Sequence, residues 1–207
     1  MIYPIDFDTP HAGLTWLQWY DKHKVFHPGY DLNKGKGSAD LGLPIVCPIA
    51  GEVEYVSPEP TTLNGQNGGF GNFVVIYHPA HGVWTRYAHM NKVSVKQNQK
   101  LKAGDLIGEV GKSGTNSPHL HFEGWKSSMY DIQKNHWRRF AYYPSGKTKQ
   151  YIMQHYFDPL EWIESIAEES ALKWCRTNLP EADWSKASEG EAERFRALAR
   201  RMKEWNI

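Results

Sequence analysis

N-F-V-V-I-Y-H-P-A-H-G-V-W-T-R-Y-A-H-M, residues 72–90, sets two runs of β-branched and aromatic residues on either side of a P-A-H-G turn. Such residues fit a pleated, half-buried surface, while Pro and Gly have backbone preferences that suit turns. The stretch predicts a β-hairpin. Outward from it the same texture fills residues 43–125, with P-I-V-C-P-I at 44–49, G-E-V-E-Y-V-S at 51–57, D-L-I-G-E-V-G at 105–111 and H-L-H-F-E-G-W at 119–125. Between these runs lie N-G-Q-N-G-G-F-G-N at 64–72, K-A-G-D at 102–105 and K-S-G-T-N-S-P at 112–118, all turn-forming. No helical pattern separates the strands, so parallel β/α units are excluded. The expected fold is mainly β, an antiparallel two-sheet sandwich or barrel-like domain.

Helices are legible only after the strands. Asp158, Pro159 and Glu161 form a capping-box pattern with proline at the first helical position, followed by L-E-W-I-E-S-I-A-E-E-S-A-L-K-W at 160–174. A second box, Ser188 with Glu191, opens a stretch where Phe195, Leu198, Met202 and Trp205 recur at helical spacing. The chain thus divides into an N-terminal segment 1–24, a β domain 25–160 with an insert at 126–150, and a helical extension 161–207.

Composition narrows the function. The 207 residues carry 24 Lys+Arg against 23 Asp+Glu, so no global charge excess holds the chain on nucleic acid or an anionic membrane. No run approaches the roughly 18 apolar residues of a spanning helix. The start, M-I-Y-P-I-D-F-D-T-P, is acidic where a signal peptide is basic and then apolar, so synthesis without an export signal is expected. Cys47 and Cys175 cannot staple a chain of this size and read as two buried thiols. Ten His, nine Trp and eleven Tyr suit a metal site and an aromatic binding surface.

The histidines fall in three clusters. In F-H-P-G-Y-D-L, His27 and Asp31 flank a Pro28-Gly29 turn and can converge on one ion. In S-P-H-L-H-F-E, His119 and His121 sit two apart on a strand, so both face one side while Leu120 and Phe122 enter the core. The same alternation puts Val83, Thr85, Tyr87 and His89 on one side, so one sheet face can carry His89, His119 and His121. A catalytic zinc takes three ligands from His, Asp or Glu and leaves one position for water. His27, Asp31 and one histidine of the H-x-H pair supply that set, and the other two histidines remain as base and oxyanion donor. Glu123 reads as a group behind the ligands or a surface residue.

The order H-x-x-x-D, G-F-G-N-x-V-x-I-x-H, Y-x-H-M, K-A-G-D-x-I-G-x-V-G-x-S-G and S-P-H-L-H-F-E, over residues 25 to 125, resembles the LytM/lysostaphin-like zinc peptidoglycan endopeptidases. The resemblance implies one Zn²⁺ held by His27, Asp31 and His121, with His89 and His119 as the catalytic pair. It implies a two-sheet β-domain with its groove over one sheet, and a substrate in the cross-linking peptides of peptidoglycan. D-Ala to meso-diaminopimelate is the expected bond. Tyr87, Asn116 and Ser117 are expected along the groove. Latent members of the family block their zinc with an upstream asparagine, and residues 1–26 contain none. An open site is therefore expected, with Asp6, Asp8, His11, Asp21 or His23 as substitutes for that block. The insert 126–150 holds six Lys/Arg, one Asp and five aromatics, which suits a lip over anionic stems or glycan as well as a solvated loop. The partners implied are peptidoglycan stem peptides, with an immunity or inhibitor protein left open, and no nucleic acid. A wall substrate and no export signal point to a phage lysis or virion protein, or a delivered effector. Two other classes stay open: a non-haem iron enzyme, which also uses two His and one carboxylate, and an IIA-like phosphocarrier on a related β-architecture.

Overall fold

The structure, a computed structural model, describes residues 2–7, 13–57, 69–126, 144 and 146–178, without the side chains of 172 and 174–178. The chain falls into two units, one running from Ile2 to Pro159 and one that begins at Leu160. The first unit carries β1 Trp19–Tyr20, β2 Val25–Phe26, β3 Gly29–Leu32, β4 Pro44–Val46, β5 Gly51–Val56 and β6 Asn72–His78. It continues with β7 Val83–Met90, β8 Lys92–Val93, β9 Lys100–Leu101, β10 Leu106–Glu109, β11 Leu120–Lys126, helix α1 Lys149–His155 and β12 Tyr156–Phe157. The expected hairpin at 72–90 is β6 and β7.

All pairings between these strands are antiparallel. The largest sheet runs β12-β11-β7-β6-β5-β9, and β3 also pairs with β11. Since β7 occupies one edge of β11 from His121 to Lys126, β3 and β12 share the other edge, opposite Leu120–Glu123 and Gly124–Trp125. A second sheet, β4-β10-β8, and the β1-β2 hairpin complete the β structure among the described residues. The fold is the mainly β, antiparallel architecture that the turn spacing implied.

One face of the large sheet packs Phe73, Val75, Trp84, Ala88 and Trp125 with Val25, Phe70, Ile152 and Tyr156. Pleating sends alternate residues of the same strands to the other face, where Tyr87 meets Phe122 with ring centroids 5.1 Å apart. Residues 2–24 belong to this same unit. Asp31 donates its amide to the Leu14 carbonyl at 2.8 Å, and His27 and Leu17 exchange bonds with Gln18 and His27 at 2.8 and 2.9 Å. Residues 14–18 therefore run alongside the stretch from His27 to Asp31.

Helix α1 closes the region read as an insert. The Thr148 hydroxyl accepts from the Tyr151 amide at 3.1 Å and so caps the first turn. Residues 127–143 and 145, with the insert's five aromatic side chains and three of its six Lys/Arg, lie outside the described residues. Helix α2 spans Pro159–Asn178, starting at the proline that the capping pattern marked, and its residues from Leu160 on belong to the second unit. The stretch around Ser188, Glu191, Phe195, Leu198, Met202 and Trp205 lies outside the described residues, as does the side chain of Cys175. Cys47 is buried and unbridged, and burial pushes its thiol up to about 12. Among the described residues no helix is long and apolar enough to cross a membrane.

Candidate metal centre

His27, Asp31 and His121 come together because β3 pairs with β11 in a register that sets Asp31 opposite His121. His27 sits just before β3, its backbone held on both sides by the 17–18 segment. Three side-chain atoms then form a small triangle: His27 Nε2 to Asp31 Oδ1 at 3.2 Å, His121 Nδ1 to Asp31 Oδ1 at 3.0 Å, and His27 Nε2 to His121 Nδ1 at 3.2 Å. Ligands placed 2.0–2.1 Å from a tetrahedral ion stand roughly 3.3 Å apart, so the triangle has the size of a zinc face.

The far nitrogens decide whether these atoms carry lone pairs. His27 Nδ1 lies 2.7 Å from the Gly29 carbonyl, which only accepts, so Nδ1 carries the proton and Nε2 is left bare. His121 Nε2 donates to Glu123 Oε2 at 2.8 Å, which turns Nδ1 toward Asp31 and His27. Two imidazole lone pairs and a carboxylate oxygen thus point at one place, a donor set that repels itself unless a cation or proton lies between. Burial works against charge on Asp31 and His121, but their mutual bonds win. Asp31 is held well below the usual carboxylate range by His121 and His27. Asp31 and Glu123 raise His121 to about 9. A metal arriving at Nδ1 competes with that proton. Among the described residues, this is the group of three whose ligand atoms can hold a metal ion.

His89 and His119 stand beside the triangle, their ring centroids 4.6 Å apart. His119 reaches it from the turn before β11, with Nε2 3.6 Å from Asp31 Oδ1 and Nδ1 donating to the Ser117 carbonyl at 3.0 Å. His89 arrives by a route that simple alternation does not give. Asn72 pairs with Met90 and Val74 with Tyr87, so β7 has one residue more than β6 in this interval, a β-bulge. His89 takes a positive φ of 62° there, which turns its ring to the His121 side, and Nδ1 donates to the Ser113 carbonyl at 2.8 Å. Burial, followed by the neighbouring His119 and His121, lowers His89 to about 3. Burial also lowers His119, against an opposing pull from Asp31. Both rings are therefore neutral near pH 7, with Nδ1–H committed to a carbonyl and Nε2 left as an acceptor.

The shared face expected for Thr85, Tyr87 and His89 is corrected by the same bulge. Tyr87 is fully buried opposite Phe122, on the side away from His121, and its hydroxyl bonds to Thr85 at 3.1 Å. It does not reach the cleft. Thr85 in turn bonds to His78 Nε2 at 2.8 Å, and His78 Nδ1 donates to the Ala50 carbonyl.

The five residues border a cleft of about 350 Å³. It is also lined by Leu14, by Tyr20, Lys22 and His23 of the β1-β2 hairpin, by Gly69 and Phe70, and by Gly114, Thr115 and Asn116 of the turn before β11. Asn116 lines the cleft, while Ser117 is not among its lining residues and gives its carbonyl to His119. Of the upstream groups named as substitutes for a blocking asparagine, His23 lines the cleft, Asp6 pairs with Lys34 at 3.0 Å and Asp21 with Lys24 at 2.5 Å. Asp8 and His11 lie outside the described residues.

Sequence reading passed over Ser113, Phe70 and Arg86. Ser113 accepts the Asn72 amide at 2.8 Å, donates to the Met90 carbonyl at 2.9 Å and holds His89. Arg86 is buried against Glu123 with its guanidinium 3.4 Å from the Phe70 ring centroid. The S-G after a strand and the T-R-Y alternation were visible, but what they touch depends on register.

The model of peptidase family M23 matches residues 25–134. The chain is 38% identical to the cell division protein DipM of Caulobacter vibrioides over 86 residues, 41% of this chain and 13% of that protein. It is 39% identical to the DD-carboxypeptidase/endopeptidase Mpg of Neisseria meningitidis serogroup B over 105 residues, 50% of this chain and 22% of that protein. It is 37% identical to the peptidoglycan DD-endopeptidase ShyA of Vibrio cholerae over 86 residues, 41% of this chain and 19% of that protein. The matched stretch spans less than a quarter of the length of each of these relatives.

Proposed function

The chain belongs to peptidase family M23, and we propose that it is a zinc-dependent endopeptidase that hydrolyses D-Ala to meso-diaminopimelate cross-links of bacterial peptidoglycan. The observation that carries this reading is the convergence of His27 Nε2, Asp31 Oδ1 and His121 Nδ1 beside His89 and His119 in one cleft. As ligands, His27, Asp31 and His121 would hold one Zn²⁺, which supplies an acidified water and a Lewis acid for the scissile carbonyl. His119 acts as the proton acceptor at Nε2, favoured over His89 by its proximity to Asp31. Once protonated, the ring becomes a donor, first to the developing oxyanion and then to the departing amine. His89, anchored by Ser113, stands across from it and completes the pair.

The cleft also suits an anionic peptide. Asp31 is its one carboxylate among the described lining residues, whereas Lys22 and His23 put cationic or titratable groups on the rim. That balance attracts the carboxylates of a stem peptide. Asn116 would border the bound peptide. The D,D bond is favoured by the names of the Neisseria and Vibrio relatives. Membership of a peptidase family replaces the iron-enzyme and phosphocarrier readings. Incubation with a purified dimeric muropeptide joined through D-Ala to meso-diaminopimelate tests the proposal. Conversion to monomers, stopped by a chelator and restored by zinc, is expected. An intact dimer in the presence of zinc would overturn the bond assignment.

A further inference from the structure

Behind the cleft, on the side of His121 away from Asp31, lies a charged pair that the proposed mechanism does not use. Glu123 is fully buried, with Oε2 2.8 Å from His121 Nε2 and Oε1 paired with Arg86 Nη2. Arg86 is 1% exposed, and its guanidinium lies over the Phe70 ring at 3.4 Å with the Trp125 ring at 5.4 Å. Phe70 in turn packs against His121, centroids 5.5 Å apart.

The pair follows from strand register. Glu123 on β11 sits directly opposite Arg86 on β7, and both side chains share the His121 face. Taking two charges out of water costs several kcal/mol each in effective terms, and a well-packed apolar pair of the same volume often costs less. Stability alone gives weak grounds for this arrangement. What it does secure is a fixed acceptor behind one imidazole. An ionised carboxylate at Nε2 keeps the proton on that nitrogen, leaves the lone pair at Nδ1 and makes the ring a better donor. The rest of the site uses carbonyls for this purpose, at Gly29, Ser113 and Ser117. His121 alone of the four has a charged partner on the far side of its ring among the bonds described.

We infer that Glu123 and Arg86 are positioning residues for the metal: Glu123 fixes His121 as an Nδ1 ligand, and Arg86, clamped on Phe70, holds the Glu123 carboxylate in place. Neither touches substrate. The inference rests on reading His27, Asp31 and His121 as the ligand set, and it concerns metal affinity, not the bond that is cut. Arg86 acts through Glu123, so the two effects on affinity should not add.

The test is zinc affinity of the full chain, by competition with a chromophoric chelator, for the wild type, Glu123→Gln, Arg86→Met and the double variant, with Co²⁺ absorption spectra as a second readout. Glu123→Gln keeps the shape and an acceptor but removes the charge. It should weaken zinc binding about 10- to 100-fold and alter the Co²⁺ bands, as loss of a ligand's hydrogen-bonded partner does at other metal sites. Arg86→Met should weaken it less, and the double variant should match Glu123→Gln. Affinity within about twofold of wild type in Glu123→Gln, with an unchanged Co²⁺ spectrum, would overturn the inference. So would losses that simply add in the double variant, for the part assigned to Arg86. If a variant does not fold, wild type loaded with ¹¹³Cd settles the matter by NMR. Coupling from the metal to His121 Nδ1, with a slowly exchanging proton on Nε2, supports it, and coupling to Nε2 refutes it. Tight, Glu123-dependent zinc binding by a protein that cuts no muropeptide would defeat the functional proposal and leave this inference standing.

Discussion

Gly71→Ala should uncouple His89 from the reaction while leaving the metal in place. Gly71 has φ +61°, and a Cβ there would meet the Ser113 carbonyl oxygen at 2.2 Å and Ser113 Oγ at 2.3 Å. Ordinary contact begins near 3.4 Å, so the two chains must separate by about 1.2 Å. Ser113 is the residue that accepts from His89 Nδ1, and its hydroxyl ties the Asn72 amide to the Met90 carbonyl. A displacement of that size at a catalytic side chain costs on the order of 100-fold in rate. Asp31 and His121 are held by the β3-β11 register and His27 by the 17–18 segment, none of them by Ser113, so zinc content should stay at one per chain. A left-handed alanine adds about 1–2 kcal/mol of strain, partly offset by a less flexible unfolded chain, and shifts Tm by roughly 2–4 °C per kcal/mol. Gly82→Ala is the matched control. Its φ is +63°, but nothing lies within 4 Å of its Cβ, so it carries the strain without the push. The assay is kcat/KM on a cross-linked muropeptide, with zinc content and Tm measured on the same samples. If Gly71→Ala retains kcat/KM within about threefold of Gly82→Ala, the assigned coupling from Gly71 through Ser113 to His89 is wrong.

His119→Ala should keep stoichiometric zinc and lose about 10²- to 10⁴-fold in turnover, whereas His121→Ala should lose the metal; elemental analysis beside muropeptide digestion separates the two. The buried His78, lowered to about 4, makes stability pH-dependent. Its unfolded form takes a proton near pH 6.5 and the folded one does not, so stability is complete above about 6.5 and falls by about 3 kcal/mol as pH drops to 4. Denaturant melts at several pH values should show that slope, reduced in His78→Gln; an equal slope in the variant would remove His78 as its source. Cys47, buried and raised to about 12, should resist iodoacetamide in the native protein at pH 8 and react only on unfolding. Peptide mass analysis that finds full Cys47 labelling of native protein would contradict its burial.

The strands were legible because their signals are local. Gly and Pro punctuate β-branched runs at 44–57, 72–90 and 105–125, and an antiparallel sheet needs no more than that to be recognised. Two-residue pairings such as β1 with β2 were not, since Trp19–Tyr20 and Val25–Phe26 have no period to read. Helix α1 was missed for a similar reason, its seven residues, about two turns, being hidden behind a loop-like composition. In the site, the H-x-H spacing placed His119 and His121 on one side, and the structure brings His27 and Asp31 to them through the β3-β11 register. His89 shows the limit. Alternation puts it with Tyr87, yet the bulge between Asn72 and Val74's partners sends the two side chains to opposite faces. A bulge is a mismatch between two strands and leaves no mark in either alone. The Arg86–Glu123 pair was out of reach for the same reason, because only the pairing of β7 with β11 sets the two charges opposite one another.

The most direct test of the account is to measure zinc content and digest Gram-negative sacculi with the same preparations of wild type and His121→Ala. One zinc per wild-type chain, with cross-linked dimers falling to monomers, and neither in the variant, is the predicted result. Wild-type protein that binds no zinc, or a zinc-free His121→Ala that still cleaves, would contradict it.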